Sequence, residues 1–220
     1  MGVTRSGREK GISVSRRWSK LECPETQEDA VRKATSQTRP VAIYQLKITL
    51  EQIRPPIWRR VQVPGTILLP HLHNLIQTVM GWDNGHLHAF QVGDISYGEP
   101  DPELDDWMQN ELRVRLSQIA PVEKSKFRYE YDFGDGWSHL VVVEKILPVT
   151  EGQIYPICLT GKRACPPEDC GGPWGYAEFL QAISDPEHEQ HDELLEWIGG
   201  EFDPEAFALA TVNAQLQGRL

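Results

Sequence analysis

Cysteine is scarce, with four residues in a chain of 220, too few for a disulfide scaffold. No stretch of 18 apolar residues occurs, which excludes a membrane-spanning helix, and the first 20 residues lack the apolar segment of a secretory signal. Reduced thiols and a cytoplasmic location are the expectation. Common cofactor and hydrolase signatures are also missing: no GxxxxGK(S/T) phosphate loop, no GxGxxG after a strand, no GxSxG elbow and no HExxH pair. His188-Glu189-Gln190-His191 comes near the last without its order. No internal repeat is visible.

What is present is an ordinary globular composition, 40% apolar and 25% charged, enough to bury a core without metal or disulfide. Charge is unevenly placed. Residues 1–40 carry a net +4 and residues 41–220 a net −14. The first segment reads as a disordered basic tail, with Glu25 to Ala34 as a short helix candidate inside it. The rest reads as a single domain. An acidic body repels phosphate, so nucleic acid is not an expected partner of its surface.

From Val41 onward, Tyr44, Leu46, Ile48 and Leu50 alternate with polar residues, the period of a half-buried strand. Pro55-Pro56 interrupts it, and Ile57 to Val63 forms a second strand. Leu72, Leu75, Ile76, Val79 and Met80 then recur at helical spacing, with Pro70 in the first turn and Gly81 placed to end the helix. His86 to Val92 is the next expected strand. Gly98 to Glu111 holds six carboxylates and no basic residue and reads as a solvated loop. Leu112, Val114 and Leu116 alternate as a short strand would. Phe127, Tyr129, Tyr131 and Phe133 share one face of a strand that turns at Gly134-Asp135-Gly136 into a second, Trp137 to Ile146. Helices are expected from about residue 174, with Asp185-Pro186 and Asp203-Pro204 as start signals. The fold class is α+β, with a mostly antiparallel or mixed sheet, one helix after the first two strands and a helical C-terminal region.

Three clusters carry candidate chemistry. Cys158, Cys165 and Cys170 lie in a Pro/Gly-rich segment and could hold structural zinc with a histidine from elsewhere. The alternative is a rigid loop whose thiols pack as small hydrophobes. His86 and His88, two apart on an expected strand, would point to one face and could chelate. Asp132, Asp135 and His139 surround a tight turn with Trp137 beside them. They could bind a divalent ion, move a proton, or simply hold the turn amides. Arg54, Arg59 and Arg60 beside Trp58 could contact phosphates or an acidic partner. Strand alternation sends Arg59 and Arg60 to opposite faces, and an ion pair with the acidic 98–111 segment is the plainer reading.

Taken together, Tyr44 to Leu50, Pro55-Pro56-Ile57-Trp58-Arg59-Arg60, the Leu72 to Trp82 helix, His86-Leu87-His88, Tyr131 to Asp135, Lys162 to Gly172 and Leu195 to Gly200 resemble the plasmid pRiA4b Orf3-like family, some members of which carry transposon-passenger or resolvase-like labels. The resemblance implies an α+β domain in a prokaryotic, often mobile-element, setting. It brings no established reaction. The residues themselves suggest a binding or accessory module that recognises a protein or small ligand through Asp132, Asp135, Trp137, His139, Glu168, Asp169 and Trp174. The alternatives are a metal-dependent hydrolase using the His/Asp cluster and a zinc-stabilised interaction domain.

Overall fold

The computed structural model of the chain describes residues 1–2, 41–99 and 108–218. Apart from residues 1–2, the expected tail and the Glu25 to Ala34 helix lie outside them. Thirteen elements follow: β1 Ala42–Leu50, β2 Trp58–Pro64, α1 Leu69–Met80, β3 His88–Val92, β4 Ile95–Gly98, β5 Met108–Asn110, α2 Leu116–Ile119, β6 Lys126–Tyr131, β7 Trp137–Pro148, β8 Ile157–Lys162, α3 Gly172–Ser184, α4 His191–Ile198 and α5 Leu209–Gly218. The strands form one eight-stranded sheet in the order β5-β4-β3-β6-β7-β1-β2-β8. It is mixed, because β4 and β5 run parallel while every other pair is antiparallel.

Register explains why the sheet has one dry face. Residues directly opposite in an antiparallel pair project to the same side. Tyr129 faces Phe90 on β3 and His139 on β7, and His139 faces Leu50 on β1. Phe127 faces Val141, Val141 faces Ile48, and Ile48 faces Arg59. All of these side chains are buried. The other side keeps Gln45, Lys47, Arg60 and Glu144 in contact with water, where the Arg60 guanidinium takes Glu144 at 2.6 and 2.9 Å. Helix α1 brings Leu69, Leu72, Ile76 and Val79 to the common core. Pro70 occupies its first turn, and Gly81 ends it at φ 96°, a left-handed conformation that glycine adopts without a Cβ penalty.

One member of the dry face is a cation. Arg59 alternates inward with Val61 and Val63, and Nε donates to the Val79 carbonyl at 2.7 Å while Nη1 donates to those of Trp58 and Lys162 at 3.0 and 2.9 Å. Its guanidinium stacks on Phe207 at 4.3 Å. Burial holds it below the ordinary arginine value. It thereby links β2 to the end of α1 and to β8, and among the described residues its partners are these carbonyls and not the acidic segment that the sequence suggested.

Other expectations also change. The alternation at Leu112, Val114 and Leu116 is not a strand. Leu112 is exposed, Val114 closes a turn onto Glu111, and Leu116 opens the four-residue α2, whose start is capped by Gln118 Oε1 on the Arg115 amide at 2.7 Å. Phe133 falls past the end of β6, where Asp132 at φ 55° breaks the period, and it points outward. The Cys158 segment begins as β8, pairing with β2. Asp185 and Asp203 do not start helices. Each carboxylate accepts from the amide two residues on, at 3.0 and 2.9 Å, and so closes a turn, with α4 and α5 beginning later.

Replacing Arg59 by Ala leaves three inward carbonyls without their donor. We expect a loss of about 3 kcal/mol or more in unfolding free energy, measured by urea denaturation. Arg60→Ala, on the wet face, should cost under about 1 kcal/mol.

Candidate functional site

The dry face turns polar at one end. Cross-strand pairing places His88 opposite Tyr131 and Tyr131 opposite Trp137, with Tyr129 and His139 in the next row. Helix α1 adds His73 and Gln77, which fall on its apolar side beside Leu69, Ile76 and Met80. The Tyr129 hydroxyl accepts from Gln77 Nε2 at 2.8 Å and lies 2.7 Å from His73 Nδ1. Its proton is therefore directed at Nδ1, which leaves the His73 proton on Nε2 to donate to Asn84 Oδ1 at 2.5 Å. Burial, and secondly the neighbouring His88, push the His73 pKa down to about 4. Burial also holds the Tyr129 phenol well above its ordinary value. Both groups are neutral members of one network, in which Gln77 Oε1 is left without a hydrogen-bond partner among the described residues.

His88 lies flat on His73, ring centroids 3.6 Å apart and planes within 7°. Its Nε2 meets both oxygens of Glu111 at 3.2 and 3.1 Å, and Glu111 is only 2% exposed. The acidic 98–111 segment is thus not uniformly solvated: its last carboxylate is an interior partner that fixes an imidazole. His88 Nδ1 has no partner among the described residues. The ring lines a cavity of about 330 Å³ together with His73, Asn84, His86 and Glu111.

His86, which also lines this cavity, stands beside Asp132 and Asp169. His86 precedes β3, so it does not share a strand face with His88 as its spacing suggested. His86 Nε2 is 3.2 Å from Asp169 Oδ1, and Nδ1 is 3.8 Å from Asp132 Oδ2. One ligand-type atom from each of the three residues lies within 4.8 Å of the others. Asp132 divides its labour. Oδ1 accepts from the Gly134 and Asp135 amides at 2.9 and 3.3 Å, which leaves Oδ2 facing His86.

The Cys-rich loop is pinned from several sides. Trp82 Nε1 donates to the Pro166 carbonyl at 2.9 Å, Tyr131 donates to Glu168 at 2.5 Å, and Asp135 Oδ2 accepts from the Gly171 amide at 3.2 Å. Burial and Glu168 hold the Tyr131 phenol above its ordinary value. Gly172 sits so close to the hairpin turn that a Cβ would meet the Asp135 carbonyl oxygen at 2.3 Å.

The other sequence candidates are dispersed. Trp137 is fully buried core. His139 is interior too, with Nδ1 on the Tyr129 carbonyl at 3.2 Å and burial pushing its pKa down to about 4. It therefore stands apart from Asp132 and Asp135. Trp174 is exposed. Cys158 is buried in β8, whereas Cys165 and Cys170 are half-buried in the loop, and all three are free thiols. Burial pushes each thiol up, Cys170 to about 12. No cysteine joins a converging ligand group among the described residues. The sequence reading missed His73, Gln77, Asn84, Glu111 and Tyr129 as site residues. The positions of His73 and Gln77 on the apolar stripe of α1 were the available signal. A larger cavity, about 890 Å³, lies elsewhere between Leu68, His71, Leu75, Arg115, Tyr155 and Leu216. Its lining has no carboxylate and no paired titratable groups.

Three comparisons bear on this geometry. A family model described as "Plasmid pRiA4b ORF-3-like protein" matches residues 42–211. The chain is 44% identical over 176 residues to the uncharacterized protein y4hQ of Sinorhizobium fredii (strain NBRC 101917 / NGR234), a match covering 78% of this chain and 89% of that protein. It is also similar to the crystal structure of a protein of unknown function, MM3350 from Methanosarcina mazei Go1. That match has 40% identity and a TM-score of 0.72, and covers 78% of this chain and 97% of the other.

The two interior imidazoles make stability pH-dependent with a definite sign. Each is neutral in the fold, with a pKa near 4 against 6.5 when unfolded. Their contribution is complete above pH 6.5 and is lost as pH falls towards 4, up to roughly 3 kcal/mol each. Urea midpoints should drop across that window. At pH 5.5 the ¹⁵N resonances of His73 and His139 should still report neutral rings.

Proposed function

The chain belongs to the plasmid pRiA4b ORF-3-like family, and we propose that it is a binding module whose working surface is the crevice of His86, Asp132 and Asp169, with a divalent cation as its ligand or as the bridge to one. The observation that carries this reading is convergence. Three ligand-type side chains arrive from three separate segments, before β3, at the β6–β7 turn and in the Cys-rich loop, with one donor atom each inside a 4.8 Å circle. A nitrogen with two carboxylate oxygens suits a borderline or hard divalent ion such as Zn²⁺ or Mn²⁺. Solvent and a ligand oxygen or nitrogen would complete the coordination. The pinned loop supports the reading, since ligands on a rigid frame need little reordering to bind. The plasmid in the family's name supports a mobile-element setting, and the reduced thiols fit the cytoplasm.

A metal-dependent hydrolase is the second reading, and one observation favours it. His88 is oriented by the buried Glu111 and lines the cavity that His86 also lines, as an imidazole that accepts a proton from a metal-bound water would be.

Equilibrium dialysis of the full chain against Zn²⁺ and Mn²⁺, followed by elemental analysis, tests the first reading. About one equivalent should be retained, and His86→Gln or Asp169→Asn should each weaken binding at least tenfold, roughly 1.4 kcal/mol. Wild-type protein that retains no ion would sink it, as would variants that bind as well. The hydrolase reading further expects metal-loaded protein to turn over an activated ester or phosphodiester. In that reading His88→Gln abolishes turnover and leaves metal uptake intact.

A further inference from the structure

From Ala164 to Gly218 the chain carries twelve carboxylates and not one lysine or arginine. The same stretch holds two exposed tryptophans, Trp174 at 81% and Trp197 at 47%. An indole left in water costs free energy, so Trp197 on this acidic helical surface calls for an occupant. Helix α4 is only half-covered: none of its residues is fully buried, while Leu194 and Ile198 pack part-buried against the core. Between α3 and α4 lies a notch of about 320 Å³ lined by Asp169, Glu178, Phe179, Glu193, Leu194 and Trp197. Trp197 stands edge-on to Phe179, ring centroids 5.8 Å apart. Its half-exposed indole forms one wall. Glu178 and Glu193 have no ion-pair or hydrogen-bond partner among the described residues.

We propose that this α3–α4 face docks an arginine-bearing segment of a protein partner. The chemistry selects that occupant. A guanidinium stacks on an indole and forks onto carboxylates at the same time, and its methylene stem packs on Leu194 and Phe179. A phosphate-bearing partner is repelled by the charge. An apolar helix laid on the notch would bury carboxylates without counter-charges, which is costly. Lysine satisfies the charge but lacks the planar fork. This surface is independent of the cation crevice except for Asp169, which borders both and is therefore left unaltered in the test.

The test is fluorescence anisotropy of the full chain with a labelled peptide of four arginines spaced by glycine and serine, against the same peptide with citrulline in place of arginine. The arginine peptide should bind saturably, and the citrulline peptide at least roughly tenfold more weakly. Glu178→Gln with Glu193→Gln should weaken the arginine peptide by roughly tenfold, and Trp197→Ala by roughly fivefold or more. Both glutamates are exposed, so the double variant should keep the wild-type melting temperature and remains informative if Trp197→Ala does not fold. A distant pair, Glu130→Gln with Glu151→Gln, should leave affinity within about twofold, as expected of screened remote charges. Equal binding of the citrulline peptide would overturn the proposal. So would a distant pair that weakens binding as much as the notch pair, because the attraction would then be diffuse charge and not a site.

Discussion

Everything in this fold depends on a sheet with one dry face. Antiparallel pairing from β3 through β8 forces opposite residues to the same side, so a single choice of register commits whole rows of side chains to the interior at once. For most of its breadth that interior is aliphatic and aromatic. At two places it is not, and these are the places where the molecule acquires its character. Arg59 enters the middle of the face and is satisfied by carbonyls of β2, α1 and β8. Towards the β6–β7 turn the rows run out into Tyr129, Tyr131, His88 and His139.

The second place governs the site. A buried polar group is tolerated only when its hydrogen bonds are made, and the Tyr129 hydroxyl makes them by joining α1 to β6 through Gln77 and His73. The same contact fixes the His73 tautomer, and His73 in turn gives His88 a flat surface to stack on. His88 is then held from behind by Glu111. The cavity beside these rings is bounded by that network, and the His88 ring lines it. The trio of His86, Asp132 and Asp169 is held differently. Asp132 and Asp169 both adopt positive φ, and turn amides hold Asp132 by one oxygen and leave the other facing His86.

The two proposed kinds of recognition match these two kinds of construction. The crevice offers few atoms at fixed positions, which suits a small, strongly directional ligand such as a cation. The helical face beyond the Cys-rich loop offers a notch with an aromatic wall and the carboxylates of Glu178 and Glu193, which would suit a flexible basic segment. Asp169 stands on the ridge between them.

Strong local periodicity determined the central part of this protein. In β1, β2, α1 and the β6–β7 hairpin, five or more residues repeat a burial pattern, and each pattern is satisfied by one face against one core. The α+β class and the resemblance to its family were legible from the same segments. Short elements were not: β4, β5 and β8 are edge or near-edge strands whose residues are covered unevenly, and Leu112 to Leu116 mimics a strand because three apolar residues alternate by coincidence of a turn and a helix start. Asp185-Pro186 and Asp203-Pro204 carry a helix-start signature that works equally well as a turn, since the same carboxylate-to-amide bond serves both. The site itself was decided by tertiary structure. His86, Asp132 and Asp169 are far apart in sequence, and so are His88 and Glu111. Nothing local brings them together. The packing of α1, the hairpin and the Cys-rich loop on one sheet face does so, because side-chain chemistry sets what a residue can bind while only chain topology sets which residues meet.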